Sequence, residues 1–242
     1  MHQPARAGLV AVGAGIVMIL GLDVAYLGEV NPLRRTISEH GLGEQGWVFG
    51  LGVALLAAGS LAIAVSLVRR RLAGVVGTIA LLGWSLGLLV TAYFPKHDWS
   101  VGPSLSGSIH RVGSLVAFLC LPLAALLIGR IRHRPTALPA PRIGTQKGGT
   151  QKGSGWGDGG RGRVAAMAAF LLGAGSLLWV AGIAAVVTVA EREGLAWWQM
   201  MPLGLVERGL AVTEVAALIA LGIWASQRPS QPASIPLDSP AR

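Results

Sequence analysis

The chain has 242 residues, 52% hydrophobic and only 13% charged, with a mean hydropathy of +0.60. That excludes an ordinary soluble domain, in which about a quarter of residues are charged. The single cysteine, Cys120, excludes a disulfide framework and a cysteine-held zinc. A formal charge of +9 would suggest nucleic acid in a soluble chain. Here the basic residues lie between apolar runs, which speaks for orientation in a lipid bilayer and against a nucleic-acid partner.

From Gly8 to Leu27 only Asp23 interrupts an apolar run long enough to cross a hydrocarbon core of roughly 30 Å as a helix. No small-x-small cleavage site precedes Glu29, so the run is read as a retained span rather than a signal peptide. A polar connection, Glu29 to Gly46, leads to span two, Trp47 to Val68. Arg69, Arg70 and Arg71 leave almost no loop before span three, Leu72 to Phe94, so the two should form a tight antiparallel hairpin. Pro95 ends span three, and span four runs from Ile109 to Ile131 with Pro122 inside it.

His133 to Arg163 is rich in Gly, Gln, Lys and Ser and duplicates GTQKG at 144–148 and 149–153. It reads as a flexible basic linker. Val164 to Ala190 is span five and Leu203 to Ala225 span six. The chain is thus expected to be an all-α, six-span membrane bundle. Spans one to four fall within 1–132, the disordered linker covers 133–163, spans five and six fall within 164–226, and a disordered tail covers 227–242.

Alternating the spans across a membrane puts fourteen Lys and Arg residues on the side of the termini and six on the other. The positive-inside rule then places both termini in the cytoplasm and the protein in the plasma membrane. Tyr26, Trp47, Tyr93, Trp99, Trp197 and Trp198 fall at the outer ends of spans, where amphipathic rings prefer to sit. Three polar connections meet on that face, 29–46, 95–108 and 191–202, and bring His40, His97 and His110 with them.

These connections hold the candidate site. His97, Asp98 and His110, with Glu39 and His40 as further donors, have the residue types of a zinc or other divalent site with one position left for water. The plainer reading is that loop histidines bond to backbone and cap helices. Asp23, Glu207 and Glu214 lie in or at the edge of apolar spans, where an unpaired charge costs about 2.5–3.5 kcal/mol, so each needs a partner. Arg208 and Arg111 are the candidates for the upper acids, Asp23 and Glu207, while Glu214, nearer mid-membrane, can instead be carried protonated, because desolvation raises a carboxyl pKa. Glu207 and Glu214 are two turns apart and share a face that must point into the bundle. A proton or cation path is the sharper reading of these acids, and buried hydrogen bonds the plainer one. Gly50 and Gly52, Gly74 and Gly77, Gly83 and Gly87, and Gly173 and Gly175 are spaced for close helix contact within the molecule. No GxSxG elbow is present to make a nucleophile of Ser38 or Ser108.

The succession NPLRRTISEHG after span one, YFPKHD closing span three, SGSIH opening span four and PLGLVERG opening span six resembles the bacterial membrane family DUF998. Its most specific parts are FP-x-x-D at Phe94, Pro95 and Asp98, and G-x-I-H at Gly107, Ile109 and His110. The resemblance implies a six-helix membrane protein with no settled activity, and it singles out Ser38, Asp98, His110 and Arg208. A more distant likeness is to membrane hydrolases of the alkaline ceramidase superfamily, whose late-helix histidine pair has no counterpart in spans five and six.

The leading expectation is a membrane protein that binds or moves a small molecule or lipid in an outward polar pocket. The pocket would be built from Asp23, Ser38, Glu39, His40, Asp98, His110, Glu207 and Arg208, with Asp98 orienting His110 and Arg208 countering an anionic group. The alternative is a metal-dependent hydrolase of a lipid or amide, with a divalent metal such as zinc on His97, Asp98 and His110. The sequence is silent on oligomeric state.

Overall fold

A computed structural model describes residues 3–29, 31–130 and 158–227. The duplicated GTQKG repeat, most of the expected linker and nearly all of the tail lie outside the described residues. Among the described residues seven α-helices follow one another: α1 Gln3–Ala25, α2 Gly46–Arg69, α3 Val75–Tyr93, α4 Leu105–Arg130, α5 Asp158–Arg192, α6 Trp197–Met200 and α7 Leu203–Ser226. A 3₁₀ turn, Ile37–Gly41, interrupts the connection between α1 and α2. All but α6 are long and apolar enough to cross a membrane, and no strand occurs among the described residues. The protein is an all-helical, multi-pass membrane protein with six spans.

Helix boundaries follow local chemistry. α4 starts four residues before the expected Ile109 because the Ser104 hydroxyl accepts the Gly107 amide at 3.0 Å, a serine N-cap. α5 starts at Asp158, six residues inside the stretch read as linker, because the helix continues through the charged Arg161 and Arg163 before its apolar run. The α2–α3 hairpin is as tight as the three arginines imply. Arg71 adopts a left-handed backbone (φ 54°), and the Leu72 amide returns to the Leu67 carbonyl at 2.9 Å, which closes α2 in a Schellman turn.

α1 to α5 each pack on the next long helix in the chain, and α7 closes the ring by packing on both α5 and α1 while reaching α4 and α2. Without a hydrophobic driving force between helices in lipid, such contacts depend on close van der Waals fit. At the α1–α2 seam the fit comes from paired glycines, Gly8 against Gly59 and Gly15 against Gly52. A Cβ at Gly59 would stand 2.6 Å from the Gly8 carbonyl oxygen, and one at Gly15 2.5 Å from that of Gly52. Gly87 meets Gly113 in the same way between α3 and α4. Polar stitches add to the packing. The Trp84 indole donates to the Ser60 hydroxyl at 2.9 Å between α3 and α2, and Ser176 donates to Thr213 at 3.0 Å between α5 and α7.

The two ends of the bundle differ. At the end carrying the α2–α3 hairpin, Arg70 donates to the Trp224 and Ala225 carbonyls at 2.9 and 2.8 Å, capping the C-terminus of α7 with a cation. The opposite end gathers the three longer connections, residues 26–45, 94–104 and 193–202. Trp47, Tyr93, Trp99 and Trp198 stand exposed there, as amphipathic rings do at a membrane boundary.

Candidate functional site

The connection after α1 is held by the first two turns of α7. Asn31 accepts the Leu33 amide on its side chain at 2.9 Å and bends the chain into a turn. The Leu33 carbonyl then accepts the Leu205 amide at 3.1 Å, and Glu207 Oε2 accepts the Ile37 amide at 2.6 Å, which seats the 3₁₀ turn. Gly204 permits this approach, since a Cβ there would collide with the carbonyl oxygens of Pro32 and Arg35. Arg208 locks it. One of its terminal nitrogens donates to those same two carbonyls, each at 2.7 Å, while Nε and the other terminal nitrogen form a fork on the Asp23 carboxylate. Asp23 Oδ1 also takes His40 Nε2 at 2.9 Å, so the acid inside α1 has both a guanidinium and an imidazole. An aspartate at this depth is tolerated because it is fully paired.

A second unit joins α3 to α4. His110, buried near the start of α4, places Nδ1 2.7 Å from the Phe94 carbonyl, which can only accept, so Nδ1 carries the proton and Nε2 is left as the acceptor of the neutral ring. His97 is buried as well. Its Nδ1 accepts the Ser104 amide at 2.9 Å, and its ring lies so close over Gly107 that no side chain fits there. The Ser106 hydroxyl donates to the Pro95 carbonyl at 2.9 Å. Asp98 turns away from all of this. It is exposed, and its Oδ1 accepts the hydroxyl and the amide of Ser100 at 2.6 and 3.0 Å, bonds that hold its carboxyl below the usual carboxylate range.

Lys96 links the two units. Its ammonium donates to the Thr36 hydroxyl at 2.8 Å and sits 3.3 Å from Glu39 Oε1, while Glu39 is paired more closely with Arg35 at 2.9 Å. Beside Lys96 opens a cleft of about 200 Å³ lined by Ser38, Gly41, Gly46, Phe49, Thr91, Ala92, Tyr93, Pro95, Lys96 and His110. Beneath it lies a chamber of about 90 Å³ that shares Ser38, Phe49 and Thr91 with the cleft and adds Glu207, Ser114 and Trp84 among its walls. Thr91 and Ser114 touch across the chamber wall at 3.3 Å. Two larger grooves, about 380 Å³ between α3 and α4 and about 410 Å³ along α5, are walled by apolar residues apart from Ser108 in the first and Arg163 in the second.

The expected residues therefore separate into three places. Asp23, His40, Glu207 and Arg208 form the clasp on α7, with Glu39 on its flank. Ser38 and His110 line the cleft. Asp98 belongs to neither, so it does not orient His110, whose partner is a backbone carbonyl. Arg208 has its donors committed to Asp23 and to carbonyls, so the cation facing the cleft is Lys96. Among the described residues no three His, Cys, Asp or Glu side chains converge as a metal ligand set, and His97, Asp98 and His110 each turn one polar atom to nearby backbone or to Ser100 rather than toward one another. The donor set does not fit a zinc or other divalent ion. Glu214 is 0% exposed, and neither carboxyl oxygen has a hydrogen-bond partner among the described residues. Sequence reasoning gave Lys96, Thr36 and Thr91 no role in the site. The available signal was Lys96 inside the very YFPKHD string that carries the family likeness.

The motifs also prove to be halves of two contacts: NPLRRTISEHG meets PLGLVERG, and YFPKHD meets SGSIH. Comparison with curated proteins and with solved structures found no match. The profile of a family described as a protein of unknown function, DUF998, matches residues 9–145. The match runs from inside α1 past the end of α4 and includes the whole second contact and the α1 side of the first. Since it spans more than half of the 242 residues, the chain belongs to the DUF998 family.

Proposed function

We propose that this membrane protein binds a small polar molecule, or the polar head of a lipid, in the cleft beside Lys96, without covalent chemistry. The carrying observation is the cleft itself. Three distant segments bring Ser38, Lys96 and His110 to one hollow of about 200 Å³ at the rim of an otherwise apolar bundle. A hollow of that size suits a head group better than a drug-sized ligand, whose pockets run from about 300 Å³ upward. Binding is favoured over movement because the bundle beyond the chamber is filled by Ile63, Leu67, Leu121, Ile128, Leu218 and Leu221, all buried. The charge asymmetry of the connections supports a cleft on the outer side of the plasma membrane with both termini inside.

Native mass spectrometry of the full chain released from nanodiscs of phosphatidylethanolamine and phosphatidylglycerol tests the reading. One molecule should stay bound per chain, and the Ser38→Ala/His110→Ala double variant should reduce its retention about tenfold, the effect of losing one or two hydrogen bonds to a polar head. Asp98→Ala should leave it unchanged. Equal retention by the double variant and the native chain would show that the cleft is not the site.

A further inference from the structure

We infer that the group taken up in the cleft is an oxyanion, a phosphate or carboxylate, held by the Lys96 ammonium; this rests on the cleft being the binding site. Among the described residues no aspartate or glutamate lines the cleft, and its charged lining residue is Lys96. The Ser38 hydroxyl lines the same cleft; it donates to the Thr36 hydroxyl at 3.2 Å and must turn from that bond to meet the anion. The three acids nearby are occupied elsewhere. Asp23 is bound by Arg208 and His40, Glu207 is turned to the Ile37 amide, and Glu39 has Arg35 at 2.9 Å.

The bond that holds Lys96 in place is of a kind that yields. Its contact with Glu39 is 3.3 Å long, beyond the usual range of a charge-assisted hydrogen bond. Glu39 keeps its arginine when Lys96 leaves, so releasing the lysine strands no buried charge. The Lys96 side chain is 15% exposed, which makes its ammonium a partly desolvated cation bound to a neutral hydroxyl and to an acid shared with another residue. A second negative oxygen arriving in the cleft completes its shell.

The test uses the full chain in detergent with three probes: inorganic phosphate, dioctanoyl phosphatidic acid and dioctanoylglycerol. Binding is read by native mass spectrometry and by the shift in thermal unfolding. Phosphatidic acid should bind, dioctanoylglycerol should not, and added salt should weaken the phosphate-bearing probes. Binding of inorganic phosphate as well identifies a free anion as sufficient, whereas binding of phosphatidic acid alone identifies a lipid head. Lys96→Met should lower affinity about tenfold or more, and Lys96→Arg should keep it within about threefold. Glu39→Gln removes the competing acid and should tighten binding, which keeps the inference testable if Lys96→Met fails to fold. Dioctanoylglycerol binding as well as phosphatidic acid, with Lys96→Met indifferent, would overturn the oxyanion while leaving the cleft as a site. No binding of any probe overturns the oxyanion too, and the nanodisc experiment then decides separately whether the cleft is occupied at all.

Discussion

Arg208 and Asp98 were both singled out by the family likeness, yet they do opposite amounts of structural work. Arg208 spans α7, the connection after α1 and Asp23 inside α1, using its planar fork on the carboxylate and a separate nitrogen on two carbonyls. Removing one partner of a mostly buried pair leaves the other uncompensated, at about 3 kcal/mol. Arg208→Ala should therefore lower the Tm in detergent substantially. Arg208→Lys should restore little, because one ammonium cannot reach both the carboxylate and the carbonyls. Asp23→Ala combined with Arg208→Ala should cost less than the two singles summed, the mark of a coupled pair. Asp98→Ala should not shift the Tm, since the exposed carboxylate bonds only to Ser100 within its own turn. Equal destabilisation by the Asp98 and Arg208 variants would contradict this division. Gly204 carries a second test at this scale. Its alanine variant pushes a methyl into the Pro32 and Arg35 carbonyls and should loosen the connection, read as faster tryptic cleavage at Arg34 and Arg35 than in the native chain.

Between elements, the contacts that matter are glycine to backbone. At the α1–α2 seam a side chain on Gly59 meets the Gly8 carbonyl and the Val12 side chain, so Gly59→Val must part the helices. Overpacking of this kind costs about 1–3 kcal/mol. Gly175 on α5 meets nothing, and Gly175→Ala should raise the Tm slightly through its higher helix propensity. Thermal unfolding of the two variants side by side checks the contrast, and similar losses would mean that the seam is not where the helices touch. This scale also shows what could be read from the sequence. All six spans were legible, because twenty-residue apolar runs bounded by charge admit few other structures. Of the glycines picked out for packing, Gly50, Gly52, Gly77, Gly83, Gly87 and Gly173 sit at contacts, whereas Gly74 and Gly175 meet nothing. Gly8, Gly15 and Gly59 were passed over, because GxxxG spacing within one helix says nothing about which residue of another helix lies opposite. The 3₁₀ turn and α6 are short, and their apolar content is too small for periodicity to register. The partnership of Asp23 with Arg208 was legible as the need of a charged acid in a span, although Glu214, buried with no hydrogen-bond partner among the described residues, does without one. The bonds to Pro32 and Arg35 were not, because backbone carbonyls leave no trace in side-chain sequence.

At the scale of the molecule, the six spans and the three long connections put every component of the clasp and the cleft at one end and the α2–α3 hairpin at the other. Which end faces the cytoplasm is decided by charge. Among the described residues, Arg6, the Arg69–Arg71 triplet, Arg130, Arg161 and Arg163 lie at the hairpin end. At the cleft end Arg208 is paired with Asp23, while Arg35 and Lys96 share Glu39. The charge that steers insertion is the count of Lys and Arg, fourteen against six in the sequence, since acids contribute little to orientation. The expected outcome is an outward cleft. A Cys120→Ala background with either Trp99→Cys or Ala73→Cys, treated in intact cells with a membrane-impermeant maleimide, should label at 99 and stay silent at 73 until the cells are permeabilised. The reverse pattern would put the Lys96 cleft in the cytoplasm, where the oxyanions within its reach are those of the inner leaflet and of soluble metabolites rather than those outside the cell.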